Sequence, residues 1–94
     1  MEMYNPPHPG RLLKNIYLKD YNLSVSAFAL KIGVSRNTAS ELVNCKQGIS
    51  AEMALKLAKA FNTSAQFWLN GQQAYDLWQA KQYVDLSKVQ VIAI

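Results

Sequence analysis

Between Leu23 and Lys46 the chain reads LSVSAFALKIGVSRNTASELVNCK, and the turn at Gly33-Val34-Ser35 divides this stretch into two short segments of helical period. Val25, Phe28, Ala29 and Ile32 form the inward stripe of the first segment. Ala39, Leu42 and Val43 cluster on one side of the second at spacings of three and four. Gly33 suits the stop between them, because it takes the left-handed conformation that other residues resist. Ala29 is small enough for the next helix to cross closely. The other side of the second segment carries Arg36, Asn37, Ser40, Glu41 and Asn44. Two helices joined in this way, with a polar flank turned outward, form a helix-turn-helix that offers a reading helix to the major groove of DNA.

The rest of the chain reads as further helices. Pro9 opens one, since its missing N–H costs nothing in a first turn. Leu12, Leu13, Ile16 and Tyr17 recur at helical spacing, and the helix fades near Asp20 to Asn22. Ser24 and Ser35 are N-caps of the two central helices. Ser50 caps a fourth helix, with Glu52 in its first turn, an inward face of Met53, Ala54, Leu57, Ala58 and Phe61, and a left-handed stop at Asn62. Ser64 caps a fifth, reaching about Tyr83. Phe67, Trp68, Ala74, Tyr75 and Trp78 cover a broad side of it, and Leu69, Leu77 and Ala80 lie roughly opposite. One small domain covers one such face, so the other is expected to meet a second chain; a central helix wrapped by its own neighbours is the competing arrangement. The expectation is an all-α, five-helix single domain over residues 1–94. It comprises an extended Pro-rich arm (1–8), a helical bundle (9–83) and a tail (84–94). The tail, VDLSKVQVIAI, has β character. It is expected either to form a short C-terminal strand against a twin or partner, or to be a disordered end.

With 94 residues, half of them apolar, the chain is sized for one modest core. Up to Lys59, eight Lys/Arg stand against four acids; beyond it, Lys81 and Lys88 balance Asp76 and Asp85. The whole excess of +4 therefore lies in the part that holds the turn motif, which suits a polyanionic partner. No apolar run approaches the roughly 20 residues of a membrane span. The first residues lack the basic-then-apolar pattern of a signal peptide. One cysteine, Cys45, cannot form an internal disulfide, and a cytoplasmic location is expected. His8, with no Cys, Asp or Glu beside it in sequence, reads as a surface residue, and no metal or cofactor is expected. The acids show no paired spacing and there is no Gly-rich phosphate loop, so the chain does not read as an enzyme.

The outward flank has the chemistry to read bases. Arg36 can fork onto guanine, Asn37 can pair with adenine, and Glu41, one turn on, can accept from cytosine; Ser40 also reaches the bases. Ser24 and Ser26 stand where backbone N–H groups and the helix dipole favour a phosphate. Ser35, Thr38, Asn44 and Lys46 complete the expected phosphate contacts.

The block from Leu23 to Lys46 resembles the helix-turn-helix of phage-repressor-like (Cro/C1, or XRE) regulators. The N-terminal PPHPGRLLKN is similar to the start of HigA-type (VapI-like) antitoxins. The stretch ISAEMALKLAKAFNTSAQFWLNGQQAYDLWQA is similar to their fourth and fifth helices. The resemblance spans about residues 5 to 83. It implies a five-helix lambda-repressor-like DNA-binding domain. It also implies a cytoplasmic bacterial antitoxin that pairs with a HigB toxin, similar to RelE-type mRNA endonucleases, and that represses its own operon by binding a palindromic operator as a homodimer. By position it assigns base reading to Arg36, Asn37 and Glu41, and phosphate contact to Ser24, Asn44 and Lys46. Many relatives have Asn-Gly after the reading helix where this chain has Asn44-Cys45; either Cys45 takes a positive φ or the turn differs. Two other readings stand beside this one: a stand-alone XRE-family repressor with no toxin, and a helical interaction module that has lost DNA binding.

Overall fold

The structure is a computed structural model describing residues 5–92, in which five helices follow one another. Helix α1 begins as Pro9–Leu12 and continues as a π-helical stretch over Leu13–Leu18; α2 spans Val25–Ile32, α3 Arg36–Val43, α4 Ala51–Phe61 and α5 Ala65–Tyr83. Helix α2 packs on α3 and α4, α5 packs on α4, and the start of α1 reaches both α3 and α5.

Four serines start four of these helices. The Oγ atoms of Ser24, Ser35, Ser50 and Ser64 accept the N–H groups of Ala27, Thr38, Met53 and Phe67 at 3.0, 3.1, 3.1 and 3.0 Å. Each such cap stabilises its helix by about 1 kcal/mol. The stops share one geometry too. Leu23, Val34, Lys46 and Thr63 donate their N–H groups back to the carbonyls of Leu18, Ala29, Glu41 and Ala58 at 2.8, 3.0, 2.8 and 3.0 Å. Each closure turns on a left-handed residue: Asn22, Gly33, Cys45 and Asn62, with φ of 55°, 75°, 61° and 56°. This is the Schellman closure, which satisfies carbonyls left over at a helix end. Of the two alternatives open at Asn44-Cys45, the structure takes the first, a cysteine at positive φ.

The π-helical stretch is a departure from the expected regular spacing of α1. Its wider i→i+5 turn brings Leu13 and Leu18 onto one face. Both are buried, and Ile16, expected inward, is 47% exposed.

Leu13, Phe28, Leu42, Leu57 and Trp68 are the largest fully buried side chains. The Phe61 ring gathers Tyr17, Tyr21 and Trp68 at centroid distances of 4.9, 5.6 and 6.2 Å. Trp68 donates its ring N–H to Thr63 Oγ1 at 2.8 Å, so the buried indole keeps a polar partner. Gly10 lets α1 touch the end of α3: a Cβ there would run into the Leu42 carbonyl oxygen.

The arm is not free along its described length. Pro6 and Pro7 line a groove with Phe67, Trp68 and Gly71, while His8 and Pro9 are buried; residues 1–4 lie outside the described residues. On α5 only Trp68 and Gln72 are buried, and Phe67 and Leu77, taken from its two apolar sides, are both largely exposed. Beyond the core the helix runs outward, which contributes to overall dimensions of 53 × 25 × 23 Å.

The expected short C-terminal strand is absent among the described residues. From Val84 to Ile92 the tail is exposed, and its one turn has Ser87 N–H on Asp85 Oδ1 at 2.9 Å and Val89 N–H on the Leu86 carbonyl at 3.0 Å. A strand needs a neighbouring ladder, and the described part of this chain has no other strand to supply one. Residues 93 and 94 of that expectation lie outside the described residues.

A left-handed residue bearing a Cβ costs about 1–2 kcal/mol. Cys45→Gly is therefore expected to stabilise the protein by about 0.5–1 kcal/mol, the lower figure allowing for the larger unfolded-state entropy of glycine. Urea denaturation of the two proteins side by side measures it.

Candidate nucleic-acid interface

The orientation of α3 follows from its apolar side. Ala39, Leu42 and Val43 are 0, 0 and 2% exposed, so the opposite flank faces out. Arg36, Asn37, Glu41 and Asn44 are exposed, and Ser40 and Thr38 are half-buried at its edges. Ser24, Ser26, Ser35 and Lys46 are exposed around this flank.

Several of the expected contact residues already touch one another. The Arg36 Nε donates to Ser26 Oγ at 2.8 Å, which ties the start of α3 to the start of α2. Asn44 Nδ2 donates to Ser40 Oγ at 3.3 Å. Ser35 Oγ accepts the Thr38 N–H and itself donates to Thr38 Oγ1 at 3.0 Å. Ser35 is thus committed to capping. The unused face of Arg36 is its pair of terminal nitrogens, five donors less the one at Nε. Lys46 sits at the Schellman closure of α3, its backbone N–H on the Glu41 carbonyl.

Behind this surface lies a group that the sequence reading missed. His8, expected at the surface, is 6% exposed. Its Nδ1 accepts the Gly10 N–H at 2.8 Å and so caps α1. It shares a cleft with Gln47, and its ring meets Tyr75 edge-on at 4.8 Å. The tertiary fold supplies these partners: Gln47 and Tyr75 are far from His8 in sequence and close in space. Gln72, 8% exposed, takes the Ile49 N–H on Oε1 at 2.9 Å and donates from Nε2 to Asp76 Oδ1 at 2.8 Å. The sequence carried one clue to this glutamine: it stands four residues after Trp68, on the side of α5 that turns inward.

Burial lowers the His8 pKa from 6.5, against the opposing pull of the Asp76 charge and the Gln47 backbone bond. Protonation would also turn Nδ1 from acceptor to donor, facing the Gly10 N–H. The unfolded chain therefore binds the proton more readily than the folded one. The contribution of His8 to stability is present in full above pH 6.5 and is lost as pH falls from there through the lowered folded value. His8→Asn keeps a capping side chain and removes the titration. Thermal melts across this range are expected to show a decline below pH 6.5 in the wild type that is flatter in His8→Asn.

Residues 15–68 match the helix-turn-helix family. The chain is 48% identical to virulence-associated protein A of Dichelobacter nodosus over 77 residues, which is 81% of this chain and 76% of that protein. Pseudomonas aeruginosa antitoxin HigA, solved with the higBA promoter, superposes with a TM-score of 0.80 at 42% identity, covering 82% of this chain and 84% of that one. The antitoxin GraA in complex with its operator superposes with a TM-score of 0.89 at 33% identity, covering 100% of this chain and 98% of that one. No helix among the described residues is long and apolar enough to cross a membrane. With the fold, the outward α3 flank and these relatives in agreement, the chain belongs to the helix-turn-helix family of XRE-type DNA-binding regulators, which are not enzymes, within the group that contains the HigA antitoxins.

Proposed function

We propose that this chain is a cytoplasmic antitoxin that binds its own operator as a homodimer, represses the operon, and neutralises a HigB-like endonuclease toxin. The observation that carries the DNA-binding part is the unobstructed flank of α3: Arg36, Asn37, Glu41 and Asn44 are exposed on the side opposite a sealed core face. The match of the whole chain to an operator-bound antitoxin supports the same reading. In this reading Arg36, Asn37, Ser40 and Glu41 meet base edges, and Ser24, Ser26, Thr38, Asn44 and Lys46 meet phosphates, while the hydroxyl of Ser35, also expected at a phosphate, is taken up by Thr38. Ser26 then has two tasks, receiving a phosphate and steadying Arg36 through the 2.8 Å bond. The toxin half of the proposal rests on the names of relatives. A RelE-like reading frame beside the gene separates an antitoxin from a stand-alone repressor.

The dimer reading rests on apolar surface that one copy leaves open. On the outer half of α5 and the tail, Leu77, Tyr83, Leu86, Val89, Val91 and Ile92 are 57 to 94% exposed. A two-fold dimer that reads a palindromic operator presents its reading helices about 34 Å apart, one turn of B-DNA.

Two experiments test these readings. In fluorescence-polarisation titrations at two salt concentrations, affinity for duplex DNA falls steeply as salt rises. Arg36→Ala there lowers preference for the operator over random duplex by about 1–3 kcal/mol. Lys46→Ala weakens both duplexes alike and reduces the salt slope by about one. A flat, weak response of the wild type would favour the interaction-module reading. In size-exclusion chromatography with light scattering, the protein runs at dimer mass at micromolar concentration; monomer mass would remove the case for pairing through α5.

A further inference from the structure

The loop after α3, residues 45–50, is held from behind by α5. Its Ile49 N–H ends on Gln72 Oε1 at 2.9 Å, and Gly48 lies against the same amide, where a Cβ would come within 3.1 Å of Nε2. A glutamine amide presents either its oxygen or its nitrogen to a neighbour. Here the choice is made by Asp76, whose carboxylate can only accept and takes the Nε2 donor at 2.8 Å. That leaves the amide oxygen as the acceptor for the Ile49 N–H. Gln72 is nearly closed to solvent, so a reversed or unpaired amide would have no water to turn to. Lys46, in the same loop, has its backbone N–H on the Glu41 carbonyl at the end of α3, and the loop that leads on from it is fastened at Ile49 by Gln72.

We infer that Gln72, oriented by Asp76, is a positioning residue for DNA binding: it fixes the loop that carries Lys46 and closes the reading helix, and so sets the phosphate contacts made there. Gln72 itself touches no DNA. The inference rests on the reading of the α3 face as the DNA-binding surface. Gln72 and Asp76 both stand on α5, whose outer half bears the open apolar surface, so the loop and that surface share one rigid element.

Two variants test it. Gln72→Met keeps the length and apolar stem of the side chain and loses both hydrogen bonds. Asp76→Ala removes the orienting acceptor at an exposed position and serves if Gln72→Met does not fold. Amide hydrogen exchange is expected to quicken about tenfold at Ile49 in Gln72→Met, and by less in Asp76→Ala, with Phe28 and Ala54 in the core unchanged. Titration on random duplex is expected to lose about one from the salt slope, as for a missing phosphate contact. Ile32→Val, destabilised in the core away from the loop, is expected to keep the wild-type slope. An Ile49 amide that exchanges at the wild-type rate, or a salt slope unchanged in a folded variant of a wild type that does bind, overturns the inference alone. A wild type with no salt-dependent binding removes the DNA reading, and this inference falls with it.

Discussion

The angle at which α3 is turned about its own axis governs what the molecule can present to a partner. Ala39, Leu42 and Val43 set that angle by being sealed against the neighbouring helices. Turning α3 by half a revolution would expose the Leu and Val side chains, each worth about 1.5–3 kcal/mol when buried. It would also press Arg36 and Glu41 into the apolar interior, where an unpaired charge costs more than either. A surface ion pair is too small to compete: the Lys56–Glu52 pair, 3.4 Å apart on α4, is worth at most about 1 kcal/mol. The outward polar flank is thus a consequence of core packing.

Short helices with a fixed orientation need defined ends. Helices α2 and α3 have eight residues each, too few to persist alone in water. Serine hydroxyls close their starts and left-handed residues close their stops, so that few backbone groups are left to compete for other partners. Three of the four left-handed positions hold Asn or Gly, residues that accept this conformation readily. Cys45 is the exception, and it stands where the reading helix gives way to the loop. The local strain is tolerated because the surrounding loop is fastened on both sides of it: Lys46 to the end of α3, and Ile49 to Gln72 on an element distant in sequence.

Helix α5 does two different things along its length. Its first half belongs to the core through Trp68 and, with Gln72, holds the loop that follows α3 from behind. Its second half leaves the domain and carries an apolar surface that continues into an exposed tail. The absence of a strand there, within the described residues, follows from the same fact, since a strand-forming segment without a partner has no ladder to join.

Most of the architecture was legible in the sequence, because its determinants are local. Helical spacing located all five helices, Pro9 and four serines marked their starts, and Gly33 and Asn62 marked two of the stops. The polar flank of α3 was legible for the same reason: a period of 3.6 places Arg36, Asn37, Ser40, Glu41 and Asn44 opposite Ala39, Leu42 and Val43 without reference to any other helix. Three features were not legible. The π-helical turn of α1, which trades Ile16 for Leu18 at the core, is a response to the shape of the other helices. The burial of His8 and the Gln72–Ile49 bond join residues 23 or more positions apart, and nothing near them in sequence announces the meeting. Helix identity and facing are written in short-range periodicity, so the sequence alone determined them. Which polar groups would be buried, and which they would hold in place, depends on distant segments arriving at one point, and only the tertiary structure decided that.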